Sequence, residues 1–193
     1  QLINNQTLSL HCDKKSKNRH GEKKVYAISS DGNLIQETMI NAGYALLYPA
    51  SSSTFTNTAY YTKLSELEHE AQTALRGLWA SDKYQPLHAH DTDLISKRTG
   101  QFLIIQGTVL HSTKVGATIY LNFGENWQQD FTVEIDQKTQ ETLQKLEIDP
   151  QTFKGQNIEV RGWVDYKAGP RLELLSPHHL RFISGKARHP SNN

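Results

Sequence analysis

The order of strand-like and helical segments beyond residue 98 restricts the possible folds of this chain more than any other feature. Three strand-like runs come first, one helical segment follows, and two more strand-like runs and a short edge run come after it. In chain order, these segments are 102–110, 117–123, 131–135, the helix at 137–146, 156–166, 171–175 and 180–183. The pattern predicts a small Greek-key barrel over residues 98–185, followed by a tail at 186–193.

Three strands, a helix and two strands is the order of the OB-fold, a small barrel that often binds nucleic acid or sugars. The sequence from Tyr120 to Val133, with Trp127 near its middle, also resembles an OB-like module found carboxy-terminal to some bacterial nuclease-like domains. We therefore expect residues 98–185 to form an OB-fold-like domain. Because OB-folds serve many roles, the topology alone does not define a function.

The first eighty residues predict two strands and two main helices. Strands at 7–12 and 23–29 flank a polar connection at 13–22, a helix at 33–42 ends at Gly43, and a short strand is expected at 44–48. A long amphipathic helix then places acidic side chains, Glu66, Glu68 and Glu70, mainly outside its apolar stripe. The stripe consists of Tyr60, Leu64, Leu67, Ala71, Ala74, Leu75 and Leu78.

This order of elements, together with Arg76-Gly77-Leu78-Trp79, resembles the carboxy-terminal half of the staphylococcal-nuclease-like (thermonuclease) domain. The resemblance implies a partial nuclease-like OB barrel with helices over residues 1–80. A polar linker at 81–97 then leads to the second OB-fold barrel. The overall fold class is expected to be α+β and mostly β.

The resemblance also bears on catalysis through the tip of the hairpin. The family has Asp-x-Tyr-Gly-Arg there, and its arginine contacts the scissile phosphate, whereas the matching positions here are Asn18, His20, Gly21 and Glu22. A carboxylate at position 22 repels phosphate and lacks the paired donors of a guanidinium. The family's metal-binding acids lie upstream of the part that matches. The resemblance thus implies no catalytic residue and no metal ligand here, and no cofactor, with Ca²⁺ relevant only to an active nuclease.

Aromatic and basic residues predict a surface that binds nucleic acid without cleaving it. Exposed aromatic rings stack on bases, and cations beside the barrel turns can contact phosphates. The alternative is that most of these rings form the barrel core, because strand alternation alone does not say which face is inside. The candidates are Arg19, His20, Tyr48, Lys114, Tyr120, Phe123, Trp127, Trp163, Lys167 and Arg171.

Composition limits the remaining possibilities. A net charge of +1 argues against a binder that relies on bulk attraction to nucleic acid. The single cysteine, Cys12, allows no intrachain disulfide and is expected to be a small buried residue. No membrane contact is expected, because no window approaches the roughly 18 apolar residues of a span. Residues His88 to Asp91 are expected to lie solvated in the linker rather than to bind metal.

The function predicted from sequence is binding of single-stranded DNA or RNA by a nuclease relative without catalysis, with an affinity that falls steeply with salt. One alternative is an active calcium-dependent endonuclease whose catalytic residues lie upstream or are rebuilt. Another is a protein-interaction scaffold, since an incomplete first barrel would expose an apolar face that a homo- or hetero-oligomer could cover. The protein is expected to be exported if a removed signal preceded the sequence, and cytoplasmic otherwise.

Overall fold

The computed structural model describes residues 7–17, 23–48 and 58–183, and the chain divides into two compact units at Tyr84 and Gln85. Unit 1 comprises Gln1–Tyr84 and unit 2 comprises Gln85–Asn193. The hairpin tip with Arg19, His20 and Glu22, and the tail at 186–193, lie outside the described residues.

Unit 1 contains a two-stranded antiparallel sheet of β1 (Leu8–Lys17) and β2 (Lys23–Ser29). Strand β1 continues through residues 13–17, where a loop was expected, because a register shift between Cys12 and Lys17 lets the pairing resume. Cys12 is exposed, so the expectation of a buried thiol was wrong. The reason is that, among the residues of unit 1 that the structure describes, β1 is an edge strand paired with β2 alone.

Two helices, α1 (Ile35–Asn41) and α2 (Thr58–Thr73), form the core of unit 1, and a single 3₁₀ turn follows at Gly77–Ala80. Ile40, Leu47 and Leu64 are buried at their contact. Residues 44–48 form no strand, because the Leu47 N–H donates to the Oε1 atom of Glu68 at 2.6 Å instead of to a neighbouring strand. Glu68 is only 3% exposed, which corrects its expected place on the solvent side of the helix.

The ends of the two helices meet at a pair of glycines, Gly43 and Gly77. Both have positive φ angles, +73° and +53°, and the Leu78 N–H donates to the Gly43 carbonyl at 2.8 Å. A Cβ atom on Gly43 would clash with the carbonyl of Arg76, and one on Gly77 would lie 2.5 Å from the Gly43 oxygen. Both positions therefore need the conformation and the small size of glycine.

In unit 2, the sheet contains β3 (Leu87–His88), β4 (Phe102–Thr108), β5 (His111–Val115), β6 (Thr118–Asn122), β7 (Thr132–Ile135), β8 (Asn157–Tyr166), β9 (Pro170–Glu173) and β10 (Leu180–Phe182). Its helices are α3 (Thr92–Lys97) and α4 (Gln137–Gln144), with 3₁₀ turns at Pro150–Thr152 and Pro177–His179. The strands of the barrel were predicted to within a few residues, except that β5 lies between the predicted strands at 102–110 and 117–123, where no strand was expected. The α+β, mostly β fold class is confirmed.

Six strands of unit 2 form one path of hydrogen-bonded neighbours, β4-β8-β9-β7-β6-β5. The two ends of this path are joined through the chain, because β5 follows β4 after two residues. The β7–β9 pair is parallel, the other pairs in this path are antiparallel, and α4 lies between β7 and β8 in sequence. This arrangement is consistent with an OB-like fold. Apolar side chains from all six strands except β5 form its core.

The segment expected to be a linker, 81–97, is structured over most of its length. Strand β3 pairs in parallel with β4, and α3 follows it. Leu87, Ala89 and Ile95 are buried in the barrel core. Most residues of this segment are polar, which is why a linker was expected, but these three apolar side chains pack it into the core of unit 2.

An ion cluster around the buried Glu159 joins β8, β10 and β4. The Glu159 carboxylate accepts 2.8 Å hydrogen bonds from Nη2 of Arg161, Nη2 of Arg181 and Nε2 of Gln106. Burial would raise the pKa of Glu159, but the two guanidinium groups and the hydrogen bonds hold it below the ordinary value. The ionised carboxylate is thus the group that this cluster requires.

We predict that Gly43→Ala destabilises unit 1 more than Gly32→Ala does. Gly32 also has a positive φ, +81°, but no atom lies within 4 Å of a Cβ there, so its substitution adds only backbone strain of about 1–3 kcal/mol. At Gly43 the clash with Arg76 adds to the same strain. Amide hydrogen exchange in α2 measures the difference. Equal effects of the two substitutions would contradict the glycine contact described above.

We predict that Glu159→Gln destabilises unit 2 by about 3–5 kcal/mol at neutral pH, because it removes the buried carboxylate that pairs with the guanidinium groups of Arg161 and Arg181. Because the pKa of Glu159 is lower in the folded state than its ordinary value of 4.5, the ionised carboxylate stabilises the fold at pH values above 4.5. This contribution is lost as the pH falls from there through the lowered pKa. The difference between wild type and variant should therefore shrink in acid. Hydrogen exchange of β8 at pH 7 and pH 4 tests this, with the exposed Glu173→Gln as control. A gap that is independent of pH would refute the assignment.

Candidate nucleic-acid interface

A groove of about 500 Å³ lies on the outer face of the unit 2 barrel. Its floor consists of outward side chains from β5, β6, β7 and β9, and two connections form its walls: the loop at 123–131 and the turn at 167–170. The principal side chains are those of Val115, Tyr120, Asn122, Trp127, Thr132, Glu134, Lys167 and Arg171. Much of this lining is apolar, and the polar atoms lie on the strands and the turn.

Strand alternation explains which side chains form the floor. Ile119 and Leu121 on β6 are buried in the core, so Tyr120 and Asn122 point outward. The same holds on β7, where Thr132 and Glu134 alternate with buried residues. Tyr120 pairs with Glu134 across the two strands, and Asn122 pairs with Thr132. The Thr132 hydroxyl donates to Oδ1 of Asn122 at 3.0 Å, which fixes the orientation of that amide.

The loop at 123–131 presents Trp127, which is 62% exposed. Its two ends are anchored by Phe123 and Phe131, which are buried with their ring centroids 5.3 Å apart. Within the loop, the Asn126 N–H donates to Oδ2 of Asp130 at 2.7 Å, and the Asp130 N–H donates to the Asn126 carbonyl at 2.8 Å. An aromatic ring is therefore held at the surface by a closed loop with a buried base.

The turn at 167–170 packs against that loop. Gly169 has φ +110°, and a Cβ there would lie only 3.0 Å from the Asp130 carbonyl oxygen. The Lys167 N–H donates to the Gly169 carbonyl at 3.0 Å, which closes the turn. This close approach of two backbones brings Lys167 to the same groove as Trp127.

Arg171 on β9 bridges two carboxylates. Its Nη1 atom lies 2.9 Å from Oε1 of Glu134, and its Nη2 atom lies 3.1 Å from Oδ2 of Asp165. Partial burial would lower the pKa of Arg171, but the hydrogen bonds to Asp165 and Glu134 raise it. A hydrogen bond from the Tyr166 N–H and one from Arg171 lower the pKa of Asp165. The charge of Arg171 is thus compensated within the barrel, whereas Lys167 takes part in none of the ion pairs found in the described parts of the chain.

Four of the residues predicted from sequence come together in the groove: Tyr120, Trp127, Lys167 and Arg171. Phe123 does not, and its prediction as a stacking residue was wrong. It is 1% exposed, and its ring packs where a Cβ on Gly107 would lie 2.9 Å from it. The ring fills the core and cannot reach a base.

The other predicted residues lie elsewhere. Lys114 is exposed, but it pairs with the inward-facing Ile119 and does not line the groove. Trp163 is exposed on β8, in edge-to-face contact with Phe102, and is also not part of the lining. Tyr48 is 44% exposed in unit 1. Arg19 and His20 fall in the range that the structure leaves out.

Sequence reasoning missed Asn122, Thr132 and Glu134, which form much of the groove floor. The signal was available in the two-residue period. Once Leu121 and Val133 are assigned to the core, Asn122, Thr132 and Glu134 must face outward. These three side chains are neither aromatic nor basic, the two types expected to bind nucleic acid.

The described ranges, 7–17, 23–48 and 58–183, hold no group of three or more His, Cys, Asp or Glu side chains placed to bind a metal ion. Within the same ranges, no helix has the length and apolar character needed to cross a membrane.

Comparison with known proteins supports a staphylococcal-nuclease-like domain in the first part of the chain. Residues 1–81 match the family described as Staphylococcal nuclease homologue. The predicted family resemblance is confirmed over these residues, while its finer form, the carboxy-terminal half of the nuclease domain, stays a prediction. Among curated proteins, none matches this chain in sequence.

Solved structures give weak matches. Asparaginyl-tRNA synthetase from Pyrococcus horikoshii is 15% identical with a TM-score of 0.38, over 55% of this chain and 25% of that one. Aspartyl-tRNA synthetase from Entamoeba histolytica is 8% identical with a TM-score of 0.39, over 54% and 22%. An OBody bound to hen egg-white lysozyme is 12% identical with a TM-score of 0.34, over 45% and 83%. The matched part thus spans a quarter or less of each of these two synthetase chains.

We predict that Asp130→Ala loosens the loop that carries Trp127. The substitution removes the carboxylate that accepts from the Asn126 N–H, and one such hydrogen bond contributes about 1 kcal/mol. Hydrogen exchange at the Asn126 amide should accelerate about fivefold, and acrylamide should quench Trp127 more readily. Gln128→Ala, an exposed substitution on the same loop, should leave both unchanged. Unaltered exchange in Asp130→Ala would mean that the loop is held by other contacts.

Proposed function

We propose that the outer groove of unit 2 binds single-stranded nucleic acid and that the chain is a nuclease relative acting as a binder. The observation that carries this proposal is the exposed ring of Trp127, which lines one groove together with Tyr120 and Lys167. An exposed aromatic ring supplies a stacking surface for an unpaired base, and the cation can contact the adjoining phosphate. The nuclease homologue match over residues 1–81 supports the same ligand class.

The groove favours a single strand because the rings face into a recess of about 500 Å³. A base must leave its stack to enter such a recess, which is already the case in a single strand. The volume also lies within the roughly 300–1,000 Å³ of sites that enclose small ligands.

Charge in the groove points to stacking as the main source of affinity. Arg171 is engaged by two carboxylates, and Glu134 adds a negative charge to the floor. Lys167 is the lining cation that takes part in none of the ion pairs described above. Each phosphate that a protein neutralises on a single strand contributes about −0.7 to the slope of log K against log salt. The slope should therefore be shallow, between about −0.7 and −1.4, where the sequence alone suggested a steep one.

Catalysis is a separate part of the proposal. Glu22 occupies the position of the arginine that contacts phosphate in the nuclease family, which supports a binder without hydrolytic activity. Active hydrolysis with Ca²⁺ is the second candidate, favoured by the family match over residues 1–81. A protein-interaction scaffold is the third.

We predict that the protein binds a fluorescein-labelled mixed-sequence 12-mer of single-stranded DNA and leaves it intact. Anisotropy titrations at 50 and 200 mM salt give the slope, and a denaturing gel of samples with and without Ca²⁺ shows whether the oligonucleotide is cut. Cleavage of the oligonucleotide only in the presence of Ca²⁺ would refute the proposal of a non-catalytic binder and favour an active nuclease. Absence of binding at the lower salt concentration would favour the scaffold.

We predict that Trp127→Ala raises the Kd for this oligonucleotide about 5- to 150-fold, because one stacked base contributes about 1–3 kcal/mol. The matched control is Trp163→Ala, which removes an exposed tryptophan outside the groove and should change the Kd less than about twofold. Both variants remove exposed rings, so folding should be little affected. A larger loss in Trp163→Ala than in Trp127→Ala would place the binding surface elsewhere on the barrel.

A further inference from the structure

The groove floor presents a hydrogen-bond acceptor and donors beside the ring of Tyr120. Glu134 lies opposite Tyr120 in the pairing of β6 and β7, and its Oε1 atom contacts Arg171. Its second oxygen, Oε2, makes no hydrogen bond or ion pair within the described parts of the chain. Asn122 lies two residues along the same face, and its Oδ1 accepts from Thr132, so its Nδ2 donors face the groove without a partner among the described residues.

We propose that Glu134 is a specificity-determining residue that selects bases with an exocyclic amino group, of which cytosine is the smallest. This inference rests on the proposed function, since it assigns a base preference to the same groove. The carboxylate accepts from the amino group, and the Asn122 amide donates to a neighbouring ring nitrogen or carbonyl.

The chemistry of the base edges supports the choice. Cytosine offers the N4 amino donor next to the N3 and O2 acceptors, which complements an acceptor followed by a donor. Thymine and uracil carry carbonyl oxygens at both exocyclic positions of that edge, on either side of a single N3–H. A carboxylate facing this edge would lie close to at least one carbonyl oxygen, and the two acceptors would repel each other.

The surroundings of Glu134 keep its acceptor in place. Arg171 binds one carboxylate oxygen and is itself held by Asp165, so the side chain is anchored on one side of the floor. The same carboxylate disfavours a phosphate on the floor through like-charge repulsion. The ligand backbone is thereby directed to the rim near Lys167, with the base inward.

The first experiment compares 10-mers of oligo-dC and oligo-dT by anisotropy at pH 7.5 with the wild-type chain. The two homopolymers have the same charge and similar ring size, so a difference reports base recognition. We expect oligo-dC to bind about tenfold more tightly, within the range of one good base contact. Equal affinities would overturn the inference and leave the binding function standing. Binding of neither oligomer would overturn both.

The second experiment assigns the preference to a residue. In Glu134→Gln the side-chain oxygen can still accept from Arg171, so the amide nitrogen then faces the groove as a donor. We expect the variant to lose the preference for oligo-dC and to bind oligo-dT at least as well. The control is Glu173→Gln, on the neighbouring strand and outside the groove lining, which should retain the wild-type ratio. Because the readout is a ratio, a general loss of stability would lower both affinities without producing the exchange. An unchanged ratio in Glu134→Gln would refute the role of Glu134.

Discussion

Burial of Phe123 and Phe131 is the interaction on which the candidate site depends. Their packed rings belong to the barrel core, and they also define the two ends of the loop that carries Trp127. A large aromatic ring at the surface buries little apolar area on folding, so its position must be fixed by neighbouring residues that are buried. Here the core supplies that anchor, the Asn126–Asp130 contact closes the loop, and the approach of Gly169 adds a second wall. The shape of the groove therefore depends on packing in the core.

The order of most barrel elements was predictable because their strands have short apolar runs and because Gly or Pro lies in many of the connections. Strand β5, which has no apolar run, was the exception. The facing of individual residues was harder, since alternation has two solutions until one residue is assigned inside. With Leu121 in the core, the same period that exposes Asn122 buries Phe123, so Phe123 could have been excluded by that single assignment. Contacts between distant segments, such as Gly169 on the Trp127 loop, leave no local trace in the sequence.

Unit 1 shows the same limit in a helix. Glu68 lies four residues after Leu64 and three before Ala71, so it belongs to the buried stripe by position although its charge suggests the opposite. The structure resolves the conflict because its carboxylate accepts from the Leu47 N–H. The residue that seemed to be solvated helix surface therefore satisfies the backbone of a segment that was expected to be a strand. Position on the helix therefore predicted the burial of Glu68 better than residue type, and the sequence could not show the distant N–H donor that makes burial of this polar side chain tolerable.

For the proposed nucleic-acid site, the charges in the groove favour recognition of bases over binding of phosphate as the source of selectivity. A site built for phosphate would leave its guanidinium open, since bidentate pairing is the strength of arginine. Both terminal nitrogens of Arg171 instead pair with carboxylates, one with Glu134 and the other with Asp165. These pairs connect three strands at one point and hold the Glu134 carboxylate on the groove floor. The Glu134 carboxylate repels any polyanionic ligand, and the positive charge of Lys167 at the rim roughly balances this repulsion. In the proposed binding mode, attraction comes mainly from stacking on Trp127 and Tyr120, and discrimination among bases depends on the polar atoms beside those rings.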